Sequence, residues 1–284
     1  MHKISAQTRL LGVIGDPIAH SLSPKIHNML YAEQGIDAIY LPARVKRDQL
    51  DDFIKNLPTF NWLGFNATMP HKKLLLPHVK TEQGHEMGVN TVRLQDDGSL
   101  IATSTDAAGF MDSLHYEQIS LVGKHVMILG AGAVVDSVGQ TILESGAISL
   151  TLANRTEKNA QILVDKLSGV SPNIRAIPLT TQALKDACLE CDLLINATPM
   201  GLSGYPHDFE DLSFLGAMTK HAVVVDLNYS PAVTTLMRSA QKQNLRTLNG
   251  LGMLVGQALR AHEFWFGVPP TQEMFNKTLK LLSI

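Results

Sequence analysis

Short apolar segments alternate with helical segments along most of this chain of 284 residues. In the first part, strands and helices are predicted in turn at 10–14, 24–33, 38–43, 47–57 and 64–68. A second series starts at His125, with strands predicted at 125–130, 149–154, 193–198 and 221–228. Strands that alternate with helices form parallel sheets with helices packed on their faces. The sequence therefore predicts an α/β protein with two sheets in two domains.

The remaining segments complete this plan. Asp97-Gly98 is a hairpin turn signal between two short apolar runs. From Gly250 onward the sequence indicates helices without a strand, so this tail must pack on one of the two sheets. We expect it to fold back on the first domain. The chain would then cross between the domains twice, near Asp106 and near Gln241.

Composition narrows the classes of function. A net charge of -2 gives no electrostatic footprint for nucleic acid or an acidic membrane. No apolar run approaches the length of a membrane span, and we expect no signal peptide. Cys188 and Cys191 are too few for a disulfide scaffold, and a lone Cys-x-x-Cys pair does not make a structural zinc site. We therefore expect a cytoplasmic protein without a nucleic-acid or membrane partner.

The first candidate binding motif is Gly130-Ala131-Gly132, at the end of a predicted strand. A glycine at a strand end permits a tight turn, and the next lets the backbone approach a pyrophosphate at a helix N-terminus. Val135 stands where the dinucleotide fingerprint has its third glycine. An ordinary strand-to-helix turn is the alternative, but the position within a βαβ unit favours a dinucleotide site.

The second motif is Asn154-Arg155-Thr156, at the end of the next predicted strand, with Lys158 close behind. NAD enzymes place an acidic residue here to bind the free ribose 2′-hydroxyl. A guanidinium beside a hydroxyl matches a 2′-phosphate instead, so these residues favour NADP over NAD. The alternative is a helix capped by Thr156 beside an exposed arginine.

Polar residues also follow the predicted strands of the first domain. Ser21 and Ser23 precede a helix that begins with proline, and a helix N-terminus suits a carboxylate. Thr68 and Lys72 follow the third strand, at the edge where α/β sheets bind ligands. Asp106 begins a later helix. Local sequence alone favours simpler roles, with Ser23 and Asp106 as helix caps and Lys72 as a solvated surface group.

An ordered set of motifs spans nearly the whole chain. They are GDPIAHSLSPKIHN from Gly15, GFNATMPHK from Gly64, VNT from Val89, TD from Thr105, GAG from Gly130, NRT from Asn154, NATPMG from Asn196, DLNYSP from Asp226 and GLGMLVGQ from Gly250. This set closely resembles the shikimate dehydrogenase family, and the ordered set is far more specific than any single motif.

The resemblance implies an NADP-dependent oxidoreductase that transfers hydride between NADPH and 3-dehydroshikimate to give shikimate, in chorismate and aromatic amino acid biosynthesis. It implies that residues 1–105, completed by helices within 241–284, form the substrate-binding domain. Residues 106–240 would form an inserted Rossmann-type NADP-binding domain.

The resemblance also assigns roles to individual residues. Lys72 and Asp106 would be catalytic, and no metal would take part. The substrate would be bound by Ser21, Ser23, Thr68, Asn90, Tyr229 and Gln257. NADP would be bound by Gly130, Ala131, Gly132, Ala133, Asn154, Arg155, Thr156, Lys158, Thr198, Met200, Leu227 and Gly250.

The sequence departs from the family pattern in a short stretch between Lys72 and Asn90, at Ser104, and in the glycine turn, where Ala133, Val134, Val135 and Asp136 follow. Ser104 stands where the family usually has asparagine before Thr-Asp. In the glycine turn, Val135 would crowd a pyrophosphate, and Asp136 would repel phosphates unless it points away. Two alternatives therefore stay open. One is a quinate/shikimate dehydrogenase relative with altered substrate or NAD use. The other is a non-catalytic ligand sensor on the same fold.

Overall fold

A computed structural model describes residues 4–81 and 88–282 and divides the chain into two compact units. The first unit runs up to Gly109 and resumes at Leu254, and the second spans Phe110–Met253. The ends of the predicted domain ranges, and residues 82–87, lie outside the described residues.

The first unit is built on a six-stranded mixed sheet. Its strands are β1 (Arg9–Gly15), β2 (Ala38–Arg44), β3 (Trp62–Ala67), β4 (Lys80–Thr81), β5 (Thr91–Leu94) and β6 (Leu100–Thr103), in the order β2-β1-β3-β5-β6-β4. β1 is parallel to β2 and β3, whereas β5 is antiparallel to β3 and β6. The predicted α/β class is confirmed, but the sheet is not the purely parallel layer that the sequence indicated, because the β5–β6 hairpin is part of it.

Helices cover this sheet. They are α1 (Ser23–Gln34), α2 (Leu50–Asn56), α3 (His71–Leu74) and α10 (Gln272–Leu282), together with parts of α4 (Asp106–Tyr116) and α9 (Leu251–Phe266). The tail packs against the sheet, where the indole of Trp265 donates a hydrogen bond of 2.9 Å to the carbonyl oxygen of Val92. The prediction that Ser23 caps α1 is wrong, because Leu22 occupies the N-cap position and Ser23 is the first helical residue.

The second unit contains a six-stranded parallel sheet. Its strands are β7 (His125–Leu129), β8 (Ser149–Asn154), β9 (Ile174–Pro178), β10 (Leu193–Asn196), β11 (Val223–Asp226) and β12 (Arg246–Asn249), in the order β12-β11-β10-β7-β8-β9. Its helices are α5 (Ala133–Glu144), α6 (Glu157–Leu167), α7 (Thr181–Cys188) and α8 (Thr235–Lys242). This order is that of a Rossmann fold, in which ligands bind where the strand order reverses, here between β7 and β10.

The unit boundaries lie later in the chain than the predicted boundaries at 105/106 and 240/241. The second difference has a clear cause, since β12 pairs with β11 and therefore belongs to the second sheet. Within the same unit, Cys188 and Cys191 are buried free thiols, and burial raises the pKa of both. Among the described residues, no helix is long and apolar enough to cross a membrane, and no cluster of metal-ligating side chains occurs.

Among the buried histidines of the first unit, His27 and His262 have lowered pKa values. His27 stacks on Tyr40 with ring centroids 4.3 Å apart, and neither ring nitrogen has a hydrogen-bond partner among the described residues. Burial lowers the pKa of His27 to about 3, and the charge of His262 acts in the same direction. Burial also lowers the pKa of His262 to about 4. The folded unit therefore holds both imidazoles neutral.

We predict that the first unit loses stability as the pH falls from about 7 to 5.5. The unfolded chain takes up protons on both histidines below pH 6.5, and the folded chain does not, so each contributes a loss of up to about 1.4 kcal/mol per pH unit. Urea unfolding followed by tryptophan fluorescence reports this unit, because Trp62 and Trp265 both lie in it. His27→Gln and His262→Gln should each reduce the slope, and the exposed control His221→Gln should not. Unchanged slopes in the first two variants would contradict the assignment.

Candidate active site

A lysine, a carboxylate and an amide meet in the first unit. The Lys72 ammonium donates to Asp106 Oδ2 over 2.5 Å, and Asn90 Nδ2 donates to Asp106 Oδ1 over 2.8 Å. The Lys72 side chain is 31% exposed and that of Asp106 is 13% exposed. The ammonium is therefore fixed by its partner and still open to a ligand, so Lys72 is not the freely solvated group that the local sequence favoured.

The sheet places these three residues side by side. Lys72 lies in α3, just after β3, while Asn90 immediately precedes β5 and Asp106 begins α4 after β6. The strands β3, β5 and β6 are adjacent in the sheet, so the segments that follow or precede them meet at one edge. Asp106 at the first turn of α4 also lies at the positive end of that helix dipole.

The two predicted carboxylate-binding serines lie together at the start of α1. The Ser23 amide donates to Ser21 Oγ over 3.3 Å, and Ser23 itself is 7% exposed. Thr68 lies directly after β3, where its amide donates to the carbonyl oxygen of Ile14 over 3.0 Å. β1 and β3 are neighbouring strands, so Thr68 and the segment that carries the serines both follow the same edge of the sheet.

Gln257 reaches this region through a close approach of two helices. A Cβ atom added to Gly109 of α4 would lie 2.2 Å from the backbone nitrogen of Gln257 in α9. A Cβ atom added to Gly256 would lie 2.3 Å from the carbonyl oxygen of Gly109. The two glycines therefore let the backbones touch, which brings Gln257 to the first turns of the helix that begins with Asp106.

In the second unit, the glycine turn leaves the N-terminus of α5 uncovered. Gly130 has a φ of 111°, which favours glycine, and its amide donates to the carbonyl oxygen of Ala153 over 2.8 Å. Gly132 is the N-cap residue of α5, and a Cβ atom there would meet nothing within 4 Å. Gly132 and Ala133 are exposed, and Ala131 is half-buried. Free backbone N–H groups at such a helix end suit a phosphate.

Val135 and Asp136, which depart from the family pattern in this turn, point away from the N-terminus of α5. Val135 is fully buried in the core of the second unit. Asp136 is also buried, and its carboxylate accepts a hydrogen bond of 2.7 Å from Lys166 of α6. The expected crowding by Val135 is therefore wrong, and Asp136 meets the condition under which no repulsion was expected, because both side chains are directed to the interior side of α5.

The Asn154 motif follows β8, which pairs directly with β7. Asn154 Nδ2 donates to the carbonyl oxygen of Thr156 over 2.8 Å and so shapes the turn. Thr156 is the N-cap residue of α6 without a side-chain capping bond, and Arg155, Thr156 and Lys158 are all exposed. The side chains of Arg155, Thr156 and Lys158 are thus exposed at the end of the strand next to β7, which precedes the glycine turn.

The other predicted NADP contacts lie on loops after β10, β11 and β12. Thr198 and Met200 follow β10, where Asn196 Oδ1 accepts from the Thr198 hydroxyl over 2.7 Å. Leu227 follows β11, and a Cβ atom on Gly250 would lie 2.0 Å from its carbonyl oxygen. Tyr229 follows on the same loop, and burial raises the pKa of its hydroxyl. These loops all follow the carboxyl ends of strands on one side of the switch point between β7 and β10.

The sequence analysis assigned no role to several buried polar residues that lie near the candidate site residues of each unit. In the second unit, the buried carboxylate of Asp226 accepts from the Thr234 hydroxyl over 2.6 Å and from Asn196 Nδ2 over 3.0 Å. In the first unit, Tyr40 and Asn66 are buried and joined by a hydrogen bond of 2.6 Å. Asn66, Asn196 and Asp226 fall within quoted motifs, whereas nothing in the sequence around Tyr40 sets it apart from a core aromatic residue.

Family models match both units. Residues 13–92 match the shikimate dehydrogenase substrate binding domain, and residues 114–251 match shikimate/quinate 5-dehydrogenase. The NADP(+)-dependent shikimate dehydrogenase of Magnetococcus marinus is 36% identical over 281 residues, which cover 98% of this chain and 97% of that protein. The chain belongs to the shikimate dehydrogenase family.

Solved structures of this family share the fold. Shikimate 5-dehydrogenase of Listeria monocytogenes, in complex with shikimate and NAD, has a TM-score of 0.88 and 29% identity over 98% of this chain and 99% of that one. Quinate dehydrogenase of Corynebacterium glutamicum, in complex with NAD, has a TM-score of 0.84 and 25% identity, covering 98% and 99%. These two relatives are thus named for different substrates, shikimate and quinate, and both contain NAD.

We predict that Gly109→Ala destabilises the first unit by about 1–3 kcal/mol, because the new methyl group would collide with the backbone of Gln257. The matched control is Gly139→Ala in α5, where the nearest atoms are side-chain ends of Leu150 and Leu167 at 3.3 Å. Urea unfolding measures both variants. A Gly109→Ala protein as stable as the wild type would contradict the close approach.

Proposed function

We propose that this chain is an NADP-dependent shikimate dehydrogenase, which interconverts shikimate and 3-dehydroshikimate in the biosynthesis of chorismate and aromatic amino acids. Family membership over nearly the full length supports the reaction class. The observation that carries the proposal is the Lys72–Asp106 pair, in which a partly exposed lysine side chain is held in place beside a carboxylate. We expect the enzyme to act in the cytoplasm as a monomer or a homodimer.

Lys72 acts on the carbonyl oxygen of the substrate as a general acid and as a positive charge. As 3-dehydroshikimate is reduced, negative charge develops on that oxygen, and a positioned ammonium both stabilises the charge and donates the proton. In the reverse direction the neutral amine accepts the proton of the shikimate hydroxyl. Bound NADP supplies the hydride donor and acceptor. The chain's own contribution is alignment and charge stabilisation.

Asp106 orients this lysine and binds the neighbouring hydroxyl of the substrate. Each of its carboxylate oxygens already accepts one hydrogen bond, one from Lys72 and one from Asn90, and each has capacity for another. Thr68, Asn90 and Gln257 bind the remaining ring hydroxyls. Ser21 and Ser23 bind the substrate carboxylate at the first turn of α1, and Tyr229 lines the pocket.

The second unit fits NADP. The uncovered N-terminus of α5 after Gly130-Ala131-Gly132 takes the pyrophosphate. Arg155, supported by Thr156 and Lys158, binds the 2′-phosphate, since these exposed groups stand at the end of the adjacent strand. The loops that carry Thr198, Met200, Leu227 and Gly250 complete the cofactor site at the switch point.

Of the two alternative functions, only one has specific support. A shift toward quinate or NAD is favoured by the likeness to the NAD-bound quinate dehydrogenase, since one contact can decide between substrates that differ by a hydroxyl group. A ligand sensor without activity was suggested by the altered glycine turn, but the interior positions of Val135 and Asp136 remove that support. Assays of shikimate and quinate with NADP+ and NAD+ separate these functions.

We predict that Lys72→Ala lowers kcat for NADP+-dependent shikimate oxidation by roughly 10²- to 10⁴-fold, because general acid–base catalysis is lost. The KM for shikimate should change much less. Lys73→Ala is the matched control, because Lys73 is the exposed neighbour of Lys72 in α3. Absorbance of the reduced cofactor measures turnover. A Lys72→Ala enzyme with near-normal kcat would refute the assigned role.

We predict that Arg155→Ala raises the KM for NADP+ by roughly 10- to 100-fold, because a charge-assisted bond to phosphate is lost. The KM for NAD+, which has no 2′-phosphate, serves as the internal control and should stay within about twofold. Steady-state assays at saturating shikimate measure both constants. Equal effects on the two cofactors would show that Arg155 does not read the phosphate.

A further inference from the structure

Behind the Lys72–Asp106 pair lies a buried polar chain for which the proposed mechanism has no use. Its members are Tyr40 on β2, Asn66 on β3 and Thr91 on β5, and all three are at most 6% exposed. Polar groups buried this deeply in a sheet cost free energy unless they are hydrogen-bonded. Each of the three is bonded, and the bonds form one connected path.

The path runs in one direction toward Asp106. The Tyr40 hydroxyl donates to Asn66 Oδ1 over 2.6 Å, and Asn66 Nδ2 donates to Thr91 Oγ1 over 2.9 Å. The Thr91 hydroxyl then donates to Asn90 Oδ1 over 2.9 Å, and Asn90 Nδ2 donates to Asp106 Oδ1 over 2.8 Å. Between these ends, Asn66, Thr91 and Asn90 each accept from the previous member and donate to the next one.

The direction is fixed by backbone groups that can act in only one way. Asn66 Nδ2 also donates to the carbonyl oxygen of Asn90 over 3.0 Å, so the oxygen of the Asn66 amide must face Tyr40. Asn90 Oδ1 also accepts from the amide of Thr105 over 2.9 Å, so the nitrogen of the Asn90 amide must face Asp106. A flip of either amide would set two donors or two acceptors against each other.

Tyr40 is itself held rigidly at the start of the path. The ring of His27 stacks on it with an interplanar angle of 17°. Asn28 of α1 also holds the backbone of Tyr40: its Nδ2 donates to the Tyr40 carbonyl oxygen over 2.8 Å, and the Tyr40 amide donates to Asn28 Oδ1 over 2.9 Å. Tyr40 therefore joins α1 to the amide that supports Asp106.

We propose that Tyr40 is a positioning residue for the shikimate site, acting through Asn66, Thr91 and Asn90 on the orientation of Asp106 and thereby of Lys72. The inference rests on the proposed function. Tyr40 is fully buried, so in this proposal it acts through its hydrogen bonds and not by contact with the substrate. Its hydroxyl fixes the orientation of the Asn66 amide. Each following hydrogen bond then fixes the orientation of the next side chain, up to the catalytic carboxylate.

Tyr40→Phe removes one oxygen atom and leaves the ring in place. We expect kcat/KM for shikimate to fall about tenfold, the equivalent of about 1.4 kcal/mol, with the KM for NADP+ unchanged. Tyr31→Phe is the matched control, because the Tyr31 hydroxyl is buried in the same aromatic cluster and has no partner among the described residues. That variant should keep kcat/KM within about twofold.

A second pair of variants distinguishes positioning from a general loss of packing. Thr91→Val breaks the same path and should lower kcat/KM about tenfold, whereas Thr91→Ser keeps the hydroxyl and should retain most of the activity. In a double-mutant cycle, Tyr40→Phe with Thr91→Val should cost little more than the larger single effect, because both changes interrupt one path. Independent structural damage would give additive losses.

The outcomes separate this inference from the proposed function. A wild-type protein that does not oxidise shikimate with NADP+ overturns the proposed function, and the inference with it. An active wild type with equal kcat/KM in Tyr40→Phe and Tyr31→Phe overturns only the inference. If Tyr40→Phe does not fold, the Thr91 pair decides, and equal activity of Thr91→Val and Thr91→Ser overturns it.

Discussion

The candidate site depends on the hydrogen bonds made by the side-chain amide of Asn90. Its oxygen accepts from the Thr105 amide and the Thr91 hydroxyl, and its nitrogen donates to Asp106. The backbone carbonyl oxygen of the same residue accepts from the amide of Ala67 over 2.9 Å. One asparagine thus joins β3, β5 and the start of α4. A carboxylate in its place would face Asp106 with like charge, so the amide is what lets that aspartate act as the partner of Lys72.

Most of the fold could be predicted from apolar runs, and the exceptions have a common cause. The strands with near-continuous apolar sequence, such as β1 and β7, lie inside their sheets, so burial fixes their composition. β9 and β12 were not predicted, and both are edge strands with partly exposed side chains. An edge strand needs fewer apolar residues, so its sequence resembles a loop. The mixed pairing of the first sheet could not be predicted either, because apolar runs indicate where strands lie but not how they pair.

The candidate site was predictable as a set of residues but not as a set of contacts. Lys72, Asp106 and Asn90 could be singled out by motif, whereas their mutual hydrogen bonds depend on strand pairing. Side-chain direction was also out of reach: Asp136 turns inward to Lys166, and Ser23 begins α1 rather than capping it. Roles for the individual residues remain proposals that rest on this geometry and on family membership.

The two buried thiols have a practical consequence. Only the thiolate reacts readily with electrophiles, and Cys188 and Cys191 are both shielded from solvent and disfavoured as thiolates. The native chain is therefore close to chemically silent toward thiol-directed labels under folded conditions. A cysteine introduced at an exposed position of either unit would carry a fluorophore or spin label alone, without first removing the natural ones. Distances within each unit could then be measured on an otherwise unaltered protein.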